Sequence, residues 1–299
     1  MIVLTVLSGV LAGCGSAEDT RARTAALPKA SPEPATGSAS PSRVPESKPP
    51  VLAPGPGGLT PVFERRADDA GSAPGSGTPD KRAEAGGAAD KVVALTFDAD
   101  MTADQGPRAA DGEHFDNPAL IASLRRLKIP STVFMTGRWA QEYAAQARSI
   151  GTDPLFEIAN HSFSHYAFSS PCYGLPTVEK PDMRREVERA FTAIRGTGAR
   201  NVVPYFRFPG GCYDDASLKA LAPTGVTAVQ WDVVSGDAFA TDADAVAEQV
   251  LAEVKPGSLV VMHCTRSAAP VTEDAVRRIV PELRERGYRF VKVSELMRG

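Results

Sequence analysis

Seven short apolar runs, interleaved with six stretches of helical periodicity, fill the sequence from residue 91 onward and leave few folds open. The runs are 92–97 (VVALTF), 131–135 (STVFM), 156–159 (FEIA), 205–208 (YFRF), 227–231 (TAVQW), 258–263 (SLVVMH) and 288–293 (YRFVKV). Each has the length and the β-branched or aromatic content of a strand. The helical stretches are 117–127, 138–146, 181–195, 214–221, 242–254 and 272–285. The one behind Thr241 shows its signals most clearly: Thr241 as N-cap, Val246, Val250, Leu251 and Val254 on one face, then the stop Pro256-Gly257. Strands that alternate with helices demand a parallel α/β sheet, and this many repeats close it as a barrel.

The segment ahead of that pattern is of a different kind. Residues 15–90 carry 12 of the 25 prolines with abundant Ala, Ser and Gly, a composition that cannot bury enough apolar surface to offset its ordering entropy. It reads as a disordered linker with an r.m.s. span of roughly 50 Å, apart from a short ordered patch at 59–64 (LTPVFE). Residues 1–14 form an apolar run too short to span a bilayer and suit an export signal, although no Lys or Arg precedes the run. Leu11-Ala12-Gly13-Cys14 resembles the bacterial lipobox, which implies lipid on Cys14 and a domain (91–299) leashed to the outer face of the cell membrane. A formal net charge of −3 supplies no basic field, so nucleic acid is not an expected partner, and the chain is expected to act as a monomer.

In α/β barrels chemistry gathers at the carboxyl ends of the strands, and the reactive residues here fall there. Asp98 and Asp100 follow the first run, His161 and His165 the third, Arg207 with Pro209-Gly210-Gly211 the fourth, Asp232 and Asp237 the fifth, and His263 ends the sixth. The stretch TFDADMTAD is not a calcium loop: counted from Asp98, Ala103 and Ala109 stand where an EF-hand needs Gly and Glu. His161 and His165 sit four apart, so one helical turn or a tight loop brings both to one ion, and with a carboxylate they suit zinc or a similar divalent metal. Cys172 and Cys212 lie on loops over the same rim and form the expected disulfide, with Cys212 to Cys264 as the competitor. Trp231, Tyr173, Phe206 and Phe208 are candidates for stacking on sugar rings, the last two equally for the core.

TFDAD, HSFSH, RFPGG, WDVVSGD and VVMHC, in that order from residue 92 to the C-terminus, resemble the motif set of the polysaccharide deacetylase family, the carbohydrate esterases with a NodB-type domain. The resemblance implies a distorted (β/α) barrel and a metal-dependent hydrolase that removes N-acetyl groups from amino-sugar polymers. It makes Asp98 the general base, His161 and His165 metal ligands, Arg207 the partner of Asp98, His263 the general acid supported by Asp237, and the backbone near Gly210 a holder of the oxyanion. The implied cofactor is a divalent metal, zinc foremost, with cobalt, nickel or manganese as alternatives. The implied partner is an acetylated glycan, peptidoglycan or chitin-like.

The family's usual second acid, the carboxylate of the metal, is Ala99 here. Strand alternation puts Asp98 and Asp100 on one side, so Asp100 is expected to supply that oxygen; two histidines with waters, Asp104 or His114 are the alternatives. Val234 stands where an acid is common, and Cys264 where Asp often follows the histidine. Ala99 also motivates a rival reading, a catalytically silent glycan-binding lipoprotein on the same scaffold. A deacylase of small C–N substrates is a third.

Overall fold

The computed structural model of the chain describes residues 48–66 and 90–298. The export signal, its lipid site at Cys14 and most of the expected linker lie outside those residues. The strands are β1 (Val62–Phe63), β2 (Val92–Ala99), β3 (Ser131–Met135), β4 (Phe156–Asn160), β5 (Val202–Phe206), β6 (Thr227–Val229), β7 (Val233–Val234), β8 (Ser258–His263) and β9 (Arg289–Phe290). The helices are α1 (Gln105–Ala110), α2 (Pro118–Leu127), α3 (Gly137–Glu142), α4 (Ala144–Gly151), α5 (Met183–Gly196), α6 (Asp215–Leu221), α7 (Ala243–Glu253), α8 (Thr272–Glu285) and α9 (Val293–Leu296).

All strand pairs are parallel, and the sheet runs β1-β6-β5-β4-β3-β2-β8-β7, with β9 also on β2. β6 and β7 stand toward opposite ends of this order, yet only residues 230–232 separate them in the chain. Three residues bridge at most about 14 Å, so the sheet has to curl until its margins are neighbours. No ladder joins β6 to β7 among the described residues, and the barrel is therefore distorted and open along that seam.

The pleat of β2 sorts its side chains between two cores. Val93, Leu95, Phe97 and Ala99 join the outer core beneath α2, α3, α7 and α8. Val92 and Ala94 face the inside of the curl with Phe134, Tyr205, Val229, Leu259 and Leu296. Thr96 and Asp98 continue this inner row, because successive side chains alternate faces. A buried polar row at the upper end of an otherwise apolar interior is where the fold places its chemistry.

Several expected boundaries shift. The stretch 138–146 is two helices, broken at Tyr143 (φ −109°, ψ 46°), whose hydroxyl accepts the Phe115 N–H at 3.2 Å. The fourth strand lies earlier, at β5, because Pro209 and two glycines in left-handed conformation (Gly210 φ 64°, Gly211 φ 72°) turn the chain behind it. The cap of α7 is Asp242, which accepts the Asp244 and Ala245 N–H groups, and not Thr241.

Residues 48–66, which include the ordered patch expected at 59–64 and extend it toward the N-terminus, pack against the barrel. β1 adds to the margin of β6 with Val62 opposite Ala228 and Phe63 opposite Val229. Tyr205 Oη donates to the Pro50 carbonyl at 2.9 Å, Leu52 N–H to Thr227 Oγ1 at 3.0 Å, and Thr60 Oγ1 to the Leu218 carbonyl at 2.8 Å. The physical reason is the open margin: β6 exposes unpaired backbone groups, which the preceding segment satisfies and covers.

Candidate active site

Arg207 lies just past β5 with no exposed surface, and each of its guanidinium nitrogens has a partner. Nη1 donates to Asp98 Oδ1 at 2.6 Å, Nη2 to Thr96 Oγ1 at 2.9 Å and Nε to the Val229 carbonyl at 3.1 Å. The cation also lies 3.8 Å from the centre of the Phe134 ring. A buried charge persists only when paired and hydrogen-bonded, and this network meets that demand while fixing the Asp98 carboxylate.

His161 leaves β4 on the same inner side. Its Nδ1 lies 2.9 Å from the Arg207 carbonyl, so Nδ1–H donates there and Nε2 faces Asp98 Oδ2 at 3.6 Å and Asp100 Oδ1 at 3.3 Å. His165 Nε2 stands 3.5 Å from the same Asp100 oxygen. The two rings are four residues apart but not on a helix: Ser162 (φ 68°) and His165 (φ 59°) are left-handed, and they wind the loop so that the ring centres lie 5.1 Å apart.

Asp100, His161 and His165 each offer one ligand atom, all within 4.8 Å of one another. Asp100 Oδ1 is buried and accepts no hydrogen bond among the described residues. Bonds of about 2.0–2.1 Å to a tetrahedral zinc put neighbouring ligand atoms about 3.3–3.4 Å apart, close to the two separations from Asp100 Oδ1. The donor set, its spacing and the orphaned oxygen all fit a divalent cation. Ala99 cannot serve, since its side chain points into the outer core with no exposure. His114 pairs with Asp116 at 3.1 Å and Asp104 accepts from Thr102 Oγ1 at 2.5 Å, so neither alternative joins the cluster.

His263 ends β8 across the ring. Its Nδ1–H donates to Asp237 Oδ1 at 2.8 Å and its backbone N–H to Asp237 Oδ2 at 2.7 Å, leaving Nε2 3.9 Å from Asp100 Oδ2. Ser235 Oγ and Thr272 Oγ1 complete the buried Asp237 carboxylate at 2.9 and 2.7 Å. Burial pulls the His263 pKa down, but the Asp237 charge outweighs it and the ring is held up at about 10. Burial lowers His165 to about 4, while for His161 the Asp98 and Asp100 charges outweigh burial and raise it. Burial raises Asp100 and the histidines around it lower it, with a net fall. A proton and a cation therefore compete for the space among these groups.

The expected disulfide forms between Cys172 and Cys212, with Cα atoms 5.9 Å apart. Cys264 is free and buried, and burial pushes its thiol up to about 12, so it is inert. Gly210 lies under the bridge: a Cβ there would stand 2.7 Å from Cys172 Sγ. Asp232 does not join the site, because it accepts from Ser258 Oγ and Leu259 N–H at the opposite end of β8. Phe206 and Phe208 pack edge-to-face with Phe168 in the core, whereas Tyr173 is 89 % exposed. Thr96, Ser235 and Thr272 were not singled out in the sequence, being ordinary strand, loop and helix residues; Phe239, 84 % exposed two residues beyond Asp237, carried no motif.

A family profile described as Polysaccharide deacetylase matches residues 85–229. A chitooligosaccharide deacetylase of Sinorhizobium fredii is 28% identical over 198 residues, spanning 63% of this chain and 86% of that protein. A peptidoglycan-N-acetylglucosamine deacetylase of Bacillus cereus is 28% identical over 212 residues, spanning 70% and 89%. Among solved structures, a family 4 carbohydrate esterase from Streptomyces lividans in complex with acetate superposes with a TM-score of 0.54 at 25% identity, over 68% of this chain and 93% of that one. With its parallel curled sheet and five motifs at the strand ends, the domain belongs to the polysaccharide deacetylase family, and both relatives are carbohydrate deacetylases.

Proposed function

We propose that the chain is a metal-dependent hydrolase that removes N-acetyl groups from an amino-sugar polymer, and that the polymer is peptidoglycan. The single observation that carries the reading is Asp100 Oδ1, buried without a donor between His161 and His165. Asp100, His161 and His165 would hold the cation, zinc foremost. When bound, such an ion polarises the acetyl carbonyl and makes water a stronger acid.

The remaining roles belong to the chain's own residues. Arg207 pins Oδ1 of Asp98 and leaves Oδ2 toward the cluster, so Asp98 takes the proton of the attacking water. Asp237 aims the His263 ring and keeps it protonated, so Nε2 gives its proton to the sugar nitrogen as the carbon–nitrogen bond breaks. Each proton transfer is worth roughly 10²–10⁴ in rate. The backbone of the turn at Gly210 approaches the acetyl oxygen, where one donor is worth about 3–4 kcal/mol. Tyr173 and Phe239 offer exposed aromatic faces to neighbouring sugars.

Support for peptidoglycan comes from the Bacillus cereus relative and from an export signal with a long leash, which suits a domain searching the wall from a lipid on Cys14. The Sinorhizobium fredii relative supports chitin-like oligomers as the other polymer. Against the silent-binder reading, Asp100 stands beside His161 and His165 while Ala99 faces the outer core. Acetate release from N-acetylated peptidoglycan and from chitooligomers, with and without chelator, tests the proposal. Chelator-sensitive release on peptidoglycan is expected, and a metal-loaded protein inert on both polymers would overturn it.

A further inference from the structure

The loop that presents the two histidines is held in a conformation its sequence does not favour. Ser162 and His165 both adopt left-handed backbone angles without being glycine, which a fold sustains only where the surroundings over-determine it. The two residues between them, Phe163 and Ser164, are gripped from α5. Glu186, 8 % exposed, accepts both the Ser164 N–H (2.9 Å) and the Ser164 Oγ–H (2.7 Å) on Oε2. Its other oxygen lies 3.6 Å from Arg189 Nη1, and the Arg189 guanidinium covers the Phe163 ring at 3.9 Å. From the opposite side the first N–H groups of α3, Gly137 and Arg138, donate to the Ser162 and Phe163 carbonyls at 3.0 Å each. Gly137 has no space for a side chain there, since a Cβ would stand 2.3 Å from the Phe163 ring.

We propose that Glu186 is a positioning residue for the metal site: by holding Ser164 from α5, it keeps His165 Nε2 turned toward Asp100 and His161. The inference rests on the metal-site reading above and adds to it a residue that touches no ligand atom. A buried carboxylate needs donors, and its two hydrogen bonds here both come from the loop between the ligands, so loop and carboxylate order each other. Without the carboxylate, Ser164 loses both of its hydrogen bonds to α5, the Arg189–Phe163 contact alone opposes relaxation of the left-handed angles less strongly, and the histidine pair splays.

The test compares Glu186→Ala and Glu186→Gln with the wild-type protein in three measurements: zinc affinity by chelator competition, the visible spectrum of the cobalt-loaded protein, and thermal melting of the metal-free protein. Outer partners of metal ligands typically contribute 10- to 100-fold, so Glu186→Ala is expected to bind zinc about 10- to 100-fold more weakly with an altered cobalt spectrum. Glu186→Gln, which keeps an acceptor for Ser164, is expected to restore most of both. Wild-type affinity and spectrum in Glu186→Ala would overturn the inference, and so would a lowered melting temperature with unchanged affinity, the signature of a purely structural brace. Should Glu186→Ala not fold, Ser164→Ala removes one of the two bonds from the loop side, and unchanged zinc affinity there also overturns it. A wild-type protein that binds neither zinc nor cobalt would instead sink the metal reading itself.

Discussion

The two sides of the ring treat their carboxylates in opposite ways. Asp237 accepts four hydrogen bonds, from Ser235, Thr272 and two atoms of His263, and Asp98 is clamped by a guanidinium that is itself fully engaged. Asp100, only two residues beyond Asp98, has one buried oxygen that accepts no hydrogen bond among the described residues, with His161 Nε2 3.3 Å away. Folding does not tolerate such an atom without cause, since an unsatisfied buried acceptor costs about 1–3 kcal/mol. On the proposed function, the saturated acids aim other groups and the unsaturated one would receive a cation. Under that proposal the difference would separate an acid–base apparatus from a metal cradle within one small site.

Asp98→Asn is the largest expected way to break this separation. Asn keeps an oxygen for Arg207 Nη1 but cannot take a proton, so acetate release should fall by about 10²–10⁴ while zinc stoichiometry stays at the wild-type level. Loss of metal in this variant, read by metal analysis, would merge the two halves. Removing the other end of the pair tests structure instead. Arg207→Met leaves Asp98 buried without its counter-charge and should lower stability by about 3–5 kcal/mol, measured by urea unfolding. A loss under 1 kcal/mol, set against that range, would mean that water reaches Asp98 and that the clamp is not dry.

The pH dependence sharpens the acid–base side. The His263 pKa is raised from 6.5 to about 10, so the protonated ring is favoured in the fold. Its contribution to stability is complete below about 6.5 and is lost as pH rises through about 10. The alkaline limb of the rate profile should follow the same group, and a cation held by Asp100 cancels part of that carboxylate's share of the shift. Asp237→Asn removes the main raising charge and should move the limb acidward. A limb that does not move would exclude His263 as the proton donor.

How much of this was legible in the sequence depended on whether the determining contacts were local. β3 and β8 begin and end where their apolar runs do, and α8 spans its periodic stretch, because the period is written into neighbouring residues. The placement of Asp100 and Ala99 on opposite faces was also readable, since the pleat alone assigns it. Contacts distant in sequence were not. The break at Tyr143 depends on Phe115, 28 residues away, the docking of 48–66 on an open sheet margin, and the role of Thr272 on Asp237, 35 residues away. The histidine loop was half legible: the spacing brings the two rings together, but the left-handed turns that set their centres 5.1 Å apart are braced by contacts from α3 and α5.

The smallest effect concerns Gly210, where two explanations for a missing side chain compete. The glycine is either there for the fold, because φ is 64° and Cys172 Sγ would lie 2.7 Å from a Cβ, or for the acetyl group that approaches its backbone. Gly112 supplies the control: its φ of 95° strains any side chain, yet nothing lies within 4 Å of its Cβ position. Gly112→Ala should therefore cost about 1–2 kcal/mol from backbone strain alone, and Gly210→Ala the same plus the clash with the bridge. Urea midpoints measure both. If Gly210→Ala is destabilised more than the control, the fold explains the glycine, and any further loss of kcat has to be read from stable protein at low temperature. If the two variants are equally stable while only Gly210→Ala loses kcat, the turn faces the reacting carbonyl, and the oxyanion side of the site is located by the residue that has no side chain.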